Sequence, residues 1–386
     1  MALSTHPDGA LSAAVTTASP RSSYEVDRFR AGDRPEFLSL YETVFGRRRS
    51  PEWFRWKYES NPVVDGVPIV VARHGDGVVG CRSFLPLSVA VDGEHHVAFQ
   101  PCDTMVHPDH RRRGLFTRMN ERSIDRYADG PPAFFFNFPN ANSKPGNLSM
   151  GWRPVARLPM YYRPQNATNA MGSWLEAHTS TDAGLSLGVA DTAADSSPLA
   201  RAHGAVDRWL VGSSDASVDR YDRPESAPLE TVYHRAIPDG VHAVRDEAFY
   251  RWRFANPVHE YEVYVANRRG EPVAAAVVSP VDDHLRLVDT LPRRPDVEPA
   301  AIERAVVAAL ADHAGPDSDV GYVAAFGSVL ARPLRYRFYP DLKPPLRSVL
   351  RPTSRTLLAR DLRSSPDVER RPPAAWTLSW FDLDAV

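Results

Sequence analysis

The run Asp103-Thr104-Met105-Val106-His107-Pro108-Asp109-His110-Arg111-Arg112-Arg113-Gly114-Leu115-Phe116 carries the clearest chemistry in this chain. An apolar strand passes into a short basic turn that contains glycine, and a helix starts at once. Such a junction aims free backbone N–H groups and the positive end of a helix dipole at one point, which makes an anion site. Gly114 lets the backbone approach that anion closely. The physics points to a ligand containing pyrophosphate, with a solvated basic turn as the plain alternative. A nucleic-acid patch assembled from Arg47–Arg49 and Arg111–Arg113 is disfavoured, because the chain as a whole carries a net charge of -2.

These residues need a scaffold, and the composition supplies one. The chain has 386 residues, 43% hydrophobic and 24% charged, which is globular and long enough for two domains or more. No run reaches the roughly 18 apolar residues that a membrane span requires. The first residues lack the basic and apolar regions of a secretory signal, so a soluble, cytoplasmic protein is expected. Cys81 and Cys102 lie inside apolar runs and suggest no disulfide framework. Only Lys57, Lys144 and Lys343 are lysines, so nearly every cation is arginine. Residues 1–22 are small and polar and read as disordered.

From Tyr24 the pattern becomes ordered. Tyr24–Arg30 alternates like a strand, and Phe37, Leu38, Tyr41 and Phe45 space a helix over Asp33–Phe45. Ser50-Pro51-Glu52 is an N-cap, a first-turn proline and a dipole-favoured acid, opening a helix that ends before Pro62. Strands are expected at Pro68–Arg73, Val78–Val89 and Glu94–Val106, then a helix over Leu115–Tyr127 and a buried strand at Ala133–Phe138. The Phe134–Phe136 run reads as core.

An internal repeat follows. Phe54-Arg55-Trp56-Lys57-Tyr58-Glu59-Ser60-Asn61-Pro62 is echoed by Tyr250-Arg251-Trp252-Arg253-Phe254-Ala255-Asn256-Pro257, and Asp103-Thr104 by Asp289-Thr290. Two copies of one fold are therefore expected. The second copy has Pro292 and Pro295 where a phosphate loop would need N–H donors, so it is expected to keep the fold without binding the anion. The expected division is 1–22 disordered, 23–164 the first domain, 165–225 a linker or elaborated connection, 226–352 the second domain, and 353–386 a tail docking as a strand.

Arg111, Gly114 and Phe116 fall on the defined positions of the Gln/Arg-x-x-Gly-x-Gly/Ala signature, and here the chain resembles the GNAT superfamily of acyl-CoA-dependent N-acyltransferases. Phe116 departs from the pattern, standing where the family has a small residue. The resemblance implies an α/β (α+β) architecture of two GNAT-like domains, each a mixed, mostly antiparallel twisted sheet flanked by helices. It also implies that Arg111, Arg112, Arg113, Gly114, Leu115 and Phe116 bind the coenzyme A pyrophosphate. Amides at Met105 and Val106 would hold the pantetheine, with Asn140 and Ser143 nearby. The family's Asn-x-x-Ala-x-x-x-Tyr-x-x-x-Gly-Phe landmark matches at Asn140, Ser143 and Gly151-Trp152. Its tyrosine, which in many relatives protonates the leaving thiolate, is Asn147 here, and an amide cannot serve as an acid.

The implied activity is transfer of an acetyl group from acetyl-CoA to a primary amine by direct attack on the thioester. Asp103 is the first candidate for the base that such an attack needs; His95, His96, His107 and His110 are weaker ones. Some tandem relatives place the terminal carboxylate in the active site, which brings Val386 into consideration. The acceptor is expected to be a small-molecule or protein amine, with no metal, nucleic acid or membrane involved; the acceptor's identity and the oligomeric state stay open. Two other readings remain: a non-catalytic acyl-CoA-binding or scaffold protein, favoured by Phe116 and Asn147, and an aminoacyl-tRNA-dependent transferase of related tandem fold.

Overall fold

A computed structural model describes residues 24–165, 198–211, 215–221, 224–294, 296–314, 318, 320–331, 334–343 and 355–384. Two sheets organise them. The first runs in the order β1 (Tyr24–Arg28), β2 (Ile69–His74), β3 (Gly77–Val91), β4 (Glu94–Val106), β5 (Pro132–Asn137), β15 (Arg355–Asp361) and β6 (Arg153–Leu158), with β9 (Val241–Ala243) pairing β3. All its pairs are antiparallel except β4 with β5. The long β3–β4 hairpin turns at Asp92 and Gly93, whose φ angles of 51° and 88° suit a tight hairpin turn and an Asp-Gly pair.

Helices cover both faces. The helix α1 (Arg34–Phe45) ends at Gly46, whose φ of 67° supplies the left-handed cap. Ser50 caps α2 (Pro51–Phe54) by accepting from the Trp53 N–H at 3.2 Å, and the chain continues through a π-helical turn at Arg55–Glu59. Both pack on one face, where Phe37, Trp53, Phe54 and Tyr58 join the main core. The opposite face receives α3 (Leu115–Tyr127), whose Leu115 and Met119 pack on Val70, Ala72 and Val79. A short α4 (Lys144–Ser149) follows β5.

The second sheet repeats this plan in the order β14 (Tyr339–Pro340), β7 (Met160–Pro164), β13 (Tyr322–Phe326), β12 (His284–Leu291), β11 (Glu271–Val281), β10 (Glu262–Arg268) and β8 (Ser217–Tyr221). Its helices are α5 (Pro198–Val211), α6 (Ala227–Arg235), α7 (Glu247–Phe254) and α8 (Pro299–Asp312). The expected repeat is visible as local symmetry. Trp56 and Trp252 stack at 5.5 Å between centroids, and each indole N–H donates to the other's backbone carbonyl, at 2.6 and 2.8 Å. Asp246 caps α7 through the Phe249 N–H at 2.7 Å, as Ser50 caps α2.

The sheets cross the expected domain limits. Strand β7, placed by sequence in the first domain, pairs β13 in the second sheet. The expected connection over 165–225 supplies α5 and the edge strand β8, which pairs β10. Strand β15, beyond the second copy, returns to sit between β5 and β6. The reason is edge satisfaction: β5 and β6 each need a partner for their backbone groups, and β15 gives one to both.

Of the tail expected over 353–386 to dock as a strand, Arg355–Asp361 does so as β15, whereas the apolar part from Trp376 does not. Trp376 makes one bridge to Val241, and Trp380–Asp382 forms a 3-10 turn. Asp382 accepts from the Ser379 N–H at 2.6 Å, which folds the segment on itself. Val386 lies outside the described residues, as does the 1–22 segment. Among the described residues no helix is long and apolar enough to cross a membrane.

One buried acid in the second domain gives a test of this packing. Glu303 on α8 is 4% exposed, with one carboxylate oxygen lacking a partner among the described residues, and burial pushes its pKa up to about 7. Because the folded value is raised, its protonated form is favoured by folding, and stability falls as pH rises towards 7. Glu303→Gln is therefore expected to stabilise the protein by about 1–3 kcal/mol at pH 8 and little at pH 4.5, read from denaturant unfolding at both pH values.

Candidate active site

The site begins with two irregularities in β4. Ladder pairing with β3 runs Gly80↔Val106 and Cys81↔Met105, then resumes at Ser83↔Cys102. Arg82, Asp103 and Thr104 fall in the bulge between, where Asp103 takes a φ of 41°. On its other side β4 pairs β5 only from Val97 to Phe99. Beyond Phe99 the two parallel strands separate, which leaves the β4 edge from Gln100 to Val106 facing a gap. A cavity of about 430 Å³ opens there, with Arg82, Asp103, Thr104, Phe116, Asn140 and Asp384 in its wall.

Asp103 is held firmly. Lys57 donates to Asp103 Oδ2 at 2.6 Å, and the Tyr58 hydroxyl donates to the same oxygen. Lys57 also reaches the Asp384 backbone carbonyl at 3.5 Å. Burial opposes the Lys57 charge, but Asp103 outweighs it and holds the amine above its ordinary pKa. Asp384 is different: burial raises its carboxyl pKa, Lys57 pulls it back, and Asp103 raises it further, with a net upward shift. The wall thus contains one carboxylate neutralised by an ion pair and a second one poised to take a proton.

The basic turn lies beside this cavity. Pro108–His110 forms a 3-10 turn, Arg112 takes a φ of 59° and Gly114 a φ of 74°, and α3 starts at Leu115. A side chain at Gly114 would meet nothing within 4 Å, so glycine is required there by its backbone angle and the space above it is open. This open cradle at a helix N-terminus fits a pyrophosphate. The Arg111 side chain folds back to the Val106 carbonyl at 3.2 Å, and the Arg113 guanidinium lies 6.0 Å from the Tyr24 ring centroid.

The expected site residues separate into groups. Asp103, Met105, Val106, Phe116, Asn140 and Ser143 line the cavity. Asn140 also builds its own loop, accepting from the Asn142 and Ser143 N–H groups at 3.0 Å. Leu115 is 2% exposed and packs in the core under α3, so its side chain serves the fold. Asn147, expected at the proton-donor position, is fully buried and does not line the cavity. Its carbonyl accepts from the Met150 and Trp152 N–H groups at 3.1 and 3.2 Å, which ties the residue to the end of α4.

Sequence reasoning missed Lys57, Tyr58, Arg82, Thr104 and Asp384. Arg82 had a signal, as a charge inside the otherwise apolar Val78–Val89 run. Lys57 had another, as a rare lysine within the repeat. Asp384 had none that separates it from an ordinary tail residue.

Comparison with known proteins gives the class. Residues 25–155 match the family model described as an acetyltransferase (GNAT) domain. A GCN5-related N-acetyltransferase from Anabaena variabilis aligns with a TM-score of 0.57 at 11% identity, over 88% of this chain and 73% of that one. A GCN5-related N-acetyltransferase from Kribbella flavida gives 0.55 at 13% identity, over 88% and 71%. A tandem GNAT protein from the clavulanic acid biosynthesis pathway gives 0.50 at 12%, over 89% and 100%. No curated protein matches the chain in sequence. The fold is that of tandem GNAT proteins, and residues 25–155 are similar to a GNAT acetyltransferase domain.

The departure at Phe116 has a structural partner. A Cβ added to Gly146 would lie 2.6 Å from Phe116 Cε1, so the ring occupies the space that Gly146 leaves. Gly146→Ala is expected to destabilise the protein by about 1–3 kcal/mol through overpacking. In a Phe116→Ala background the same change should stabilise, because alanine is the better helix former. Urea unfolding of the four chains measures this reversal of sign.

Proposed function

We propose that the protein is an acyl-CoA-dependent N-acyltransferase acting on a primary amine, with one working site in its N-terminal domain. The observation that supports this reading is the gap between β4 and β5, where a cavity walled by Asp103 and Asp384 opens, with the basic turn following directly on the end of β4. The backbone of Arg111–Gly114 and the first turn of α3 would hold the pyrophosphate. The Val106 amide, on the unpaired side of β4, would hold the pantetheine and polarise the thioester carbonyl, with Met105 beside it in the cavity wall. Acetyl-CoA would supply an activated acyl thioester, so that a C–N bond forms as the C–S bond breaks.

The protein's own part is to deprotonate and orient the amine. Asp384 suits the proton acceptor: it lines the cavity, and burial holds its pKa above the ordinary carboxylate range. Asp103 suits a positioning role, since its charge is already matched by Lys57. The two carboxylates, Asp103 and Asp384, favour an amine as acceptor.

Calorimetric titration with acetyl-CoA is expected to give one site per chain, and Gly114→Asp should abolish it by setting a carboxylate against the pyrophosphate. Two equivalent sites would overturn the assignment to the first domain alone. Asp384→Asn is expected to lower kcat by about 10²–10⁴ and to remove the acid limb of the kcat/KM profile, a limb lying above the ordinary pKa of about 4. Retention of that limb in the variant would exclude Asp384 as the base.

A further inference from the structure

Arg82 is the one charged side chain of β3, and it is 2% exposed. Its Nη1 donates to Thr104 Oγ1 at 2.8 Å, while the Phe84 and Phe116 rings flank the guanidinium carbon at 5.7 and 5.6 Å. Among the described residues, neither Nε nor Nη2 has a hydrogen-bond partner. Those two nitrogens form one edge of the guanidinium, the edge that offers two parallel N–H donors to a carboxylate. Burial draws the arginine's pKa down to about 9 and the Cys102 thiol counters it only in part, while no carboxylate pairs with the guanidinium among the described residues. A cation stripped of water and left unpaired is costly, and a ligand anion would relieve that cost.

The position in the cavity says which part of a ligand meets Arg82. Residues Arg111–Gly114 do not line the cavity, whereas Asp103, Thr104 and Asp384 do, so Arg82 stands at the reacting end and away from the phosphates. Side chains alternate along a strand. Cys81 packs in the core on the α1 side, and Arg82 points to the α3 side with Phe84 and Phe116. Asp103 reaches the other way, to Lys57 and Tyr58 of the α2 turn. The donor's wall is thus cationic and the acceptor's wall acidic.

We infer that the unpartnered Nε–Nη2 edge of Arg82 receives a carboxylate at the far end of the donor's acyl chain, so that the preferred donor is a dicarboxylic acyl-CoA. This rests on the acyl-CoA reading above. Thr104 fixes the guanidinium plane, and the two aromatic rings keep water from competing for the same donors.

The test is calorimetric binding of coenzyme A, butyryl-CoA and succinyl-CoA to the full-length chain. The last two have acyl chains of equal length and differ in the terminal carboxylate. Succinyl-CoA is expected to bind at least about tenfold more tightly than butyryl-CoA, as a bidentate charged pair demands. Arg82→Met should erase that preference while coenzyme A binds as before. If the Met variant does not fold, Arg82→Lys keeps the charge without the fork and should lose most of the preference. Equal affinities in the wild-type chain, or a preference that survives both variants, would overturn the inference and leave the acyl-CoA reading intact. Failure of the wild-type chain to bind coenzyme A itself would overturn that reading, and this inference with it.

Discussion

The Arg245 guanidinium holds this molecule together. It donates to Asp289 at 2.8 Å and to Ser379 at 3.0 Å and pairs with Asp382 at 2.9 Å, all of them buried. Arg293 joins Asp289 at 2.7 Å. Burial works against the charges of Arg245 and Asp382, yet Asp289 and Asp382 together hold Arg245 above its ordinary pKa, and Arg245 with Arg293 holds Asp382 below its own. Removing one member would strand the others, a far larger penalty than the network's net worth. The group matters because Asp382 belongs to the terminal segment. Its carbonyl accepts from Gln100 in β4 at 2.9 Å, and two residues later Asp384 enters the cavity of the first domain.

The second copy therefore has a visible task. Asp103 and Asp289 occupy equivalent places beside register shifts in their sheets, but their partners differ. In the first copy the aspartate meets Lys57 and Tyr58 and faces a cavity. In the second it is closed off by two arginines and serves as an anchor. The same place in the fold holds an aspartate of the candidate site in one half and a clamp for the terminal segment in the other. The Trp56–Trp252 pair fixes the two halves so that the segment clamped in one reaches the other.

Much of the fold was legible because it rests on local patterns. Alternation marked the strands, Ser50-Pro51-Glu52 marked a helix start, and the repeated aromatic-basic motif marked the duplication. The strand exchange was not legible: β7 lies at the end of the expected first domain, β15 inside the expected tail, and nothing local states which sheet either joins. The basic turn at Arg111–Gly114 was plain, because strand, glycine and helix lie next to each other in the chain. The rest of the wall was not. Lys57 and Asp103 are 46 positions apart, and Lys57 and Asp384 are 327 apart. Such contacts are products of tertiary packing, and only the fold brings them within reach. Asn147 illustrates the converse: its place in a motif suggested chemistry, and burial gives it a share in the α4 end.

Strand β15 has a consequence for how the protein comes into being. On the ribosome, β5 and β6 emerge early, with a gap between them that only residues 355–361 fill. Until that strand is made, the first sheet has two unpaired inner edges, and β7 waits for strands of the second sheet. Neither half can close by itself in order of synthesis. The nascent chain must carry these open edges until residues 355–361 have emerged, some 200 positions after β6.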